Sequence, residues 1–255
     1  MGRTRLKVSR LGIGSGYGVP SKAIEKAYHE YGVNYFFWSS PRRKGMRKAV
    51  QNLVRTERNN MVIALQTYDH IGFSMRHFVE KGLNALNIEF ADVLILGWFN
   101  HVPGGRVLET ALRLKEEGKI RFLGMSGHVR TVYGQMARQV DNPVDIFMAR
   151  YNAVHRGAET DIFPYLPEEN RPGMITYTTT CWGKLLKANK MPPGERPLSS
   201  TECYRFALSN PDVDLCLTGP RNAEEMDEAL RTLDSYRLSS EEMKRIRNIG
   251  DFIHG

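Results

Sequence analysis

From end to end of the chain, short apolar runs alternate with segments whose apolar residues recur every three or four positions. The runs are "LGIGS" at 11–15, "NYFFW" at 34–38, "MVIALQ" at 61–66, "DVLILG" at 92–97, "RFLGMS" at 121–126, "VDIFMARYN" at 144–152, "GMITYT" at 173–178 and "DLCLTG" at 214–219. Continuous rather than alternating hydrophobicity in runs this short predicts strands buried on both faces, as in parallel sheets.

The segments between them predict helices. Ser21 caps one with Ala23, Ile24, Ala27, Tyr28 and Tyr31 on its apolar face. A second spans 46–54. Ser74 caps a third, in which Phe78, Leu83 and Leu86 keep helical spacing. Others cover 105–117, ending at Gly118, then 130–139, a start near Ala158, 199–208 and 223–233. A last amphipathic helix carries Met243, Ile246 and Ile249. Eight strands with helical crossovers close naturally into a (β/α)8 barrel of the TIM type. An open doubly wound sheet is the alternative. It lacks its fingerprint, because "GIGSGYG" at 12–18 is glycine-rich but does not have the G-x-G-x-x-G spacing.

A chain of 255 residues suits one such domain over 1–255. Its 41% hydrophobic and 25% charged content is ordinary for a globular protein. The formal net charge of +8 fits a solvated basic surface or an anionic ligand. It argues less for nucleic acid, because the positive residues are spread along the chain apart from "RRKGMRK" at 42–48. Three widely spaced cysteines suggest reduced thiols and no structural zinc. No apolar run approaches about 18 residues and no signal-peptide core opens the chain, so a soluble cytoplasmic protein with no membrane partner is expected.

In a barrel of this kind the chemistry sits at the C-terminal strand ends. At those ends the chain resembles the aldo/keto reductase superfamily over nearly its whole length. "TRLKVSRLGIGS" resembles the family's opening hairpin and first strand, and "GVNYF" the segment before its catalytic aspartate. "LNALNIEFADVLILG" resembles the helix and strand carrying its histidine. "LKEEGKIRFLGMSGH", "ARYN", "ITYT...WGKLL" and "LTGPRNAEEMDEAL" resemble strand ends five to eight in the same order.

The resemblance implies a carbonyl reductase using NADP(H), or alternatively NAD(H), but with its catalytic set replaced. The aspartate position holds Phe37, the tyrosine falls at Arg42 beside Arg43, the lysine at Gln66 and the histidine at Gly97. It further implies that Tyr177 stacks on the nicotinamide, that Ser126 holds the carboxamide and that Thr178 and Thr180 meet the pyrophosphate. Gly219 and Arg221 would take the adenosine phosphate and Glu228 the adenine. Glu225 stands where it would weaken phosphate binding, Gly127 replaces an asparagine and Met148 a glutamine.

A reductase needs a proton donor near the carbonyl. Phenylalanine, glutamine and glycine cannot serve, and a guanidinium clamps anions rather than giving up a proton. Two other residues are candidates. An imidazole titrates near neutrality, so His128 at the fifth strand end is one. Tyr68 is the other, sharing a face with Gln66 two positions earlier. Arg42 and Arg43 are expected to hold an anionic small-molecule substrate. Phe37, Trp38, Trp98 and Asn100 are expected to line its pocket. Arg150 and Asn152 are expected to fix the sixth strand end, and His155 and Arg156 to reach the mouth. No residues have metal-ligand spacing. The functional reading is an oxidoreductase with an unusual mechanism. The alternatives are a non-catalytic nucleotide or metabolite sensor and a redox-neutral lyase or isomerase.

Overall fold

The computed structural model describes residues 1–39 and 44–255. Eight parallel strands close into a barrel in the order β1 to β8. They are β1 (Leu11–Gly14), β2 (Tyr35–Trp38), β3 (Val62–Thr67), β4 (Ala91–Leu96), β5 (Ile120–Ser126), β6 (Ile146–Arg150), β7 (Gly173–Tyr177) and β8 (Leu215–Thr218). The helices around them are α1 (Ser21–Tyr31), α2 (Lys44–Glu57), α3 (Met75–Leu86), α4 (Gly105–Glu116), α5 (Arg130–Ala137), α6 (Ala158–Asp161), α7 (Ser200–Leu208), α8 (Ala223–Leu230) and α9 (Ser240–His254). The barrel is the expected fold; the open sheet is excluded because β1 pairs with β8 as well as with β2.

Alternation along each strand divides the core in two. Tyr35, Phe37, Val62, Ala64, Val93, Ile95, Ile146, Met148, Ile175, Leu215 and Leu217 pack inside the barrel. Their sequence neighbours, such as Phe36, Ile63, Leu94 and Phe147, pack outward against the helices. Trp38 belongs to this outer layer, where its ring lies against Gly82 of α3. It therefore does not line the pocket, contrary to the expectation for it: position 38 has the parity of Phe36.

A fourfold motif locks the N-terminal end of the barrel. Each even-numbered strand begins with Asn or Asp just before its first inward residue: Asn34, Asp92, Asp145 and Asp214. Each side chain accepts a hydrogen bond from a backbone amide in the first half of the preceding strand or just before it: Ser9, Ile63, Leu123 and Met174. The three aspartates are neutralised by Arg58 and Arg121, by Arg3 and Lys115, and by Arg171. Such bonds satisfy strand-end donors that would otherwise be buried unpaired.

Several local expectations give way to other devices. The opening segment is not a hairpin. It forms a short 3-10 turn at Gly2–Thr4, and Met1, Leu6 and Val8 pack against the floor of the interior. Ser21 lies inside α1, whose N-cap is Pro20, and makes no side-chain cap. Ser74 does not cap α3 with its own side chain. Buried Asp69 instead accepts from the amides of Ile71, Gly72 and Ser74 and organises the whole β3–α3 loop. Phe78 is exposed, because the buried stripe of α3 runs through Met75, Val79, Gly82, Leu83 and Leu86. Ser199 does cap α7, in a reciprocal box with Glu202.

Candidate functional site at the C-terminal mouth of the barrel

The last inward positions at the C-terminal strand ends are Phe37, Gln66, Gly97, Ser126, Arg150 and Tyr177, all but Phe37 lying beyond the interior set. They bring together residues that lie far apart in sequence. Tyr68 donates to Gln66 Oε1 at 2.8 Å, and Gln66 Nε2 donates to Ser126 Oγ at 3.2 Å. The chain of three runs across the ends of β3 to β5.

Gly97 makes this arrangement possible. A Cβ there would stand 2.7 Å from two ring carbons of Tyr68 and 2.8 Å from Gln66 Nε2. The Tyr68 ring thus fills the space above β4 that a side chain at position 97 would need. Trp98 flanks it, with ring centroids 5.0 Å apart. Both rings are half-exposed or more, while Phe37 is buried at the base. Burial pushes the Tyr68 phenol upward, and among the described residues no cation contributes in the other direction. The phenol therefore keeps its proton at neutral pH and acts as a donor.

At the end of β5 the expected residues separate. A Cβ on Gly127 would come within 2.0 Å of the Phe99 carbonyl oxygen, so an asparagine cannot stand there. Asn100 is engaged within the loops. Its Oδ1 accepts from the amides of His128 and Val129 at 2.7 and 3.3 Å, which ties the β4 and β5 loops together. His128 is exposed, and among the described residues its ring has no hydrogen-bond partner. Nothing orients it, which weakens its case as an acid or base.

On the β6–β7 side, Tyr177 is half-buried and its phenol approaches the Gly127 carbonyl at 3.5 Å. Asn152 fixes the sixth strand end, as expected. Its Oδ1 accepts from the amides of Val154 and His155, and its Nδ2 donates to the Thr178 carbonyl. Among the described residues Arg150 makes no such bond; its guanidinium lies 5.4 Å from the Trp182 ring centroid. Arg156 turns away to Asp251 on α9. His155 remains near the mouth, 3.7 Å from the Cys181 sulfur. Burial lowers its pKa, and the charges of Arg150, His254, Lys184 and Arg130 lower it further. Burial pushes the Cys181 thiol up, so it is no thiolate nucleophile. The Thr180 hydroxyl accepts from the Gly183 amide within its own loop.

At the end of β8 the Tyr17 ring, which sequence reasoning missed, lies over Gly219. A Cβ on Gly219 would be 2.4 Å from the ring. Arg221 is tied to Glu225 through both its backbone amide and its guanidinium, the latter at 2.6 Å. Glu228 accepts from the Ser200 amide at the start of α7, which occupies it locally. Arg42 and Arg43 lie outside the described residues.

Seven described non-glycine residues have positive φ, and four of them are in the mouth loops: Trp98, Thr178, Cys181 and Trp182. A β-branched residue at φ 56°, as at Thr178, is a costly conformation. Here the Asn152 bond to its carbonyl holds it. Strain concentrated in this way marks a functional region more often than a packing region. Two open concavities of about 680 and 690 Å³ lie at the opposite end, lined by Arg5, Lys7, Asn34 and, in one, Asp92. Those residues belong to or adjoin the strand-locking motif, so we place the chemistry at the mouth instead.

No protein-family model matches the chain. It is 21% identical over 300 residues to the L-galactose dehydrogenase of Arabidopsis thaliana, covering 98% of this chain and 92% of that one. Among solved structures it resembles an aldo-keto reductase from Bacillus halodurans in its apo form, with TM-score 0.76 and 17% identity over 96% of this chain and 93% of that one. It also resembles an aldo/keto reductase from Klebsiella pneumoniae in complex with NADP and acetate, with TM-score 0.77 and 18% identity over 98% and 94%. The chain therefore has the (β/α)8 barrel fold of the aldo/keto reductases.

Proposed function

We propose that this protein is an NADP(H)-dependent oxidoreductase acting on a small carbonyl compound or anionic substrate, with Tyr68 as its proton donor. The reading is carried by one observation: the Tyr68 phenol hydrogen-bonded over Gly97 to Gln66, where the resemblance puts a histidine and a lysine. A neutral phenol bonded to the Gln66 amide oxygen can exchange that acceptor for a substrate oxygen. Gln66 cannot take the proton, so it positions the phenol and is not itself the acid.

The mouth suits a nicotinamide nucleotide at one end more than at the other. Tyr177 offers a half-buried ring on β7, and the Ser126 hydroxyl already accepts a bond from Gln66. At the adenosine end, Arg221 would take the phosphate only after leaving Glu225, and Gly219 would be reached only past Tyr17. The cofactor would supply the hydride; this chain's residues bind, orient and deliver a proton. The neighbours solved with NADP and NADPH support NADP(H) over NAD(H). The resemblance to L-galactose dehydrogenase supports an oxidoreductase.

A second reading is a nucleotide-binding barrel without turnover. It is favoured by the Tyr68 phenol having, among the described residues, no cation that makes it a stronger acid. Fluorescence titration with NADPH and NADH, followed by a panel of carbonyl substrates, separates the two. The first reading expects NADPH binding with turnover that falls about a hundredfold or more in Tyr68→Phe, with nucleotide affinity kept. Turnover that survives Tyr68→Phe removes Tyr68 as donor, and binding with no turnover on any substrate leaves the second reading.

A further inference from the structure

We infer that Arg150 is an oxyanion-binding residue, which holds a carboxylate or phosphate group at the barrel mouth beside Trp182. Alternation along β6 puts Ile146 and Met148 inside the barrel, so Arg150 is the next inward position. Among the described residues it is the one charged side chain at an inward strand position. Its strand neighbour in register is Tyr177, so it stands directly beside the aromatic wall of the mouth.

The guanidinium has no hydrogen-bond or ion-pair partner among the described residues; its contact is the Trp182 ring at 5.4 Å. Several other arginines on this side are committed. Arg130 pairs with Asp161, Arg156 with Asp251, Arg247 with Glu159 and Arg221 with Glu225. The charges of Lys184 and Arg150 both act on Cys181 and His155. A planar fork of five donors, half-buried and resting on an indole face, lacks only a bidentate acceptor. The bland alternative is a hydrated arginine that merely packs on Trp182. The two differ in whether a bidentate anion binds better than chloride.

This inference does not depend on the redox reading, because it is tested without nicotinamide or turnover. The full chain is titrated by calorimetry with inorganic pyrophosphate and with benzoate, against sodium chloride at equal ionic strength. Trp182 fluorescence is followed in parallel, with Trp182→Phe identifying its share of the signal. Saturable binding is expected for at least one probe, about ten- to a hundredfold weaker in Arg150→Met at unchanged circular dichroism. Pyrophosphate alone binding identifies a phosphoryl ligand, and benzoate alone a carboxylate. If Arg150→Met fails to fold, Arg150→Lys carries the comparison. It keeps the charge but loses the fork, and about three- to tenfold weaker binding is expected. Equal affinity in parent and variant, or no binding beyond chloride, overturns the assignment.

Discussion

The substitution Gly97→Ala tests the arrangement at the mouth most directly. Gly97 has no left-handed backbone, so the change acts through space alone. The new methyl would stand 2.7 Å from the Tyr68 ring and 2.8 Å from Gln66 Nε2, where carbon contacts settle near about 3.5–4.0 Å. Tyr68 must retreat by roughly 1 Å, and the bonds to Gln66 and from Gln66 to Ser126 lengthen or break with it. Full overpacking costs about 1–3 kcal/mol. Tyr68 is 49% exposed and can swing into water, so about 1–2 kcal/mol is expected, including the weakened hydrogen bonds. At about 2–4 °C per kcal/mol for a domain near this size, Tm falls by about 2–8 °C. On the proposed function, turnover falls at least about tenfold, since a displacement of 1 Å at a reacting group can cost a hundredfold. The assay is a double-mutant cycle of thermal melts with Tyr68→Ala. Once the ring is gone, the flexible end of Gln66 is left to give way to the methyl, and Gly97→Ala should cost much less. Equal costs in both backgrounds would show that the ring does not rest on Gly97, and the proton-donor reading would go with it.

Three further outcomes are expected. Glu225→Gln releases Arg221 from an exposed pair worth at most about 1 kcal/mol, so NADPH should bind about two- to fivefold tighter with NADH unchanged. Equal gains for both nucleotides would mean that Arg221 does not meet the extra phosphate. Asp92→Asn leaves Arg58 and Arg121 without their shared carboxylate. Breaking a buried pair costs about 3–5 kcal/mol, and the exposure of Arg121 puts the loss near the lower figure. Tm should drop by about 6–12 °C, and a drop under about 1 °C would refute the locking role. Glu202 concerns acid stability. Burial would raise its pKa, but bonds from Arg196 and the Ser199 amide and the charges of Arg196 and Arg245 outweigh it and hold it at about 2. A depressed carboxylate stabilises the fold above its ordinary value of 4.5, and that contribution fades as pH falls from 4.5 toward about 2. Glu202→Gln should flatten the acid limb of the stability profile in that window; parallel acid limbs for parent and variant would contradict this.

The barrel could be read without coordinates, because its cause is local. Eight short apolar runs with amphipathic segments between them admit few closed arrangements, and the observed strands overlap those runs, overrunning three of them by one residue. The residues at the strand ends could be named for the same reason, since a strand's last inward position follows from counting by two. Parity also explains the error at Trp38, where one residue's shift moves a ring from the mouth to the helical layer. The fourfold Asn/Asp lock went unread in the sequence, because its meaning lies in the neighbouring amides that it binds.

Partnership was decided only in three dimensions. Asn100 and His128 looked like two functional residues and are a loop tie and an unsupported ring. Arg150 looked like a structural residue and is a cation without a carboxylate. Tyr17 carried no local signal, because its contact with Gly219 joins two ends of the chain. Hydrophobic periodicity is a property of neighbours along the backbone, whereas a hydrogen bond or a charge pair is a property of distance, and the closed barrel sets those distances.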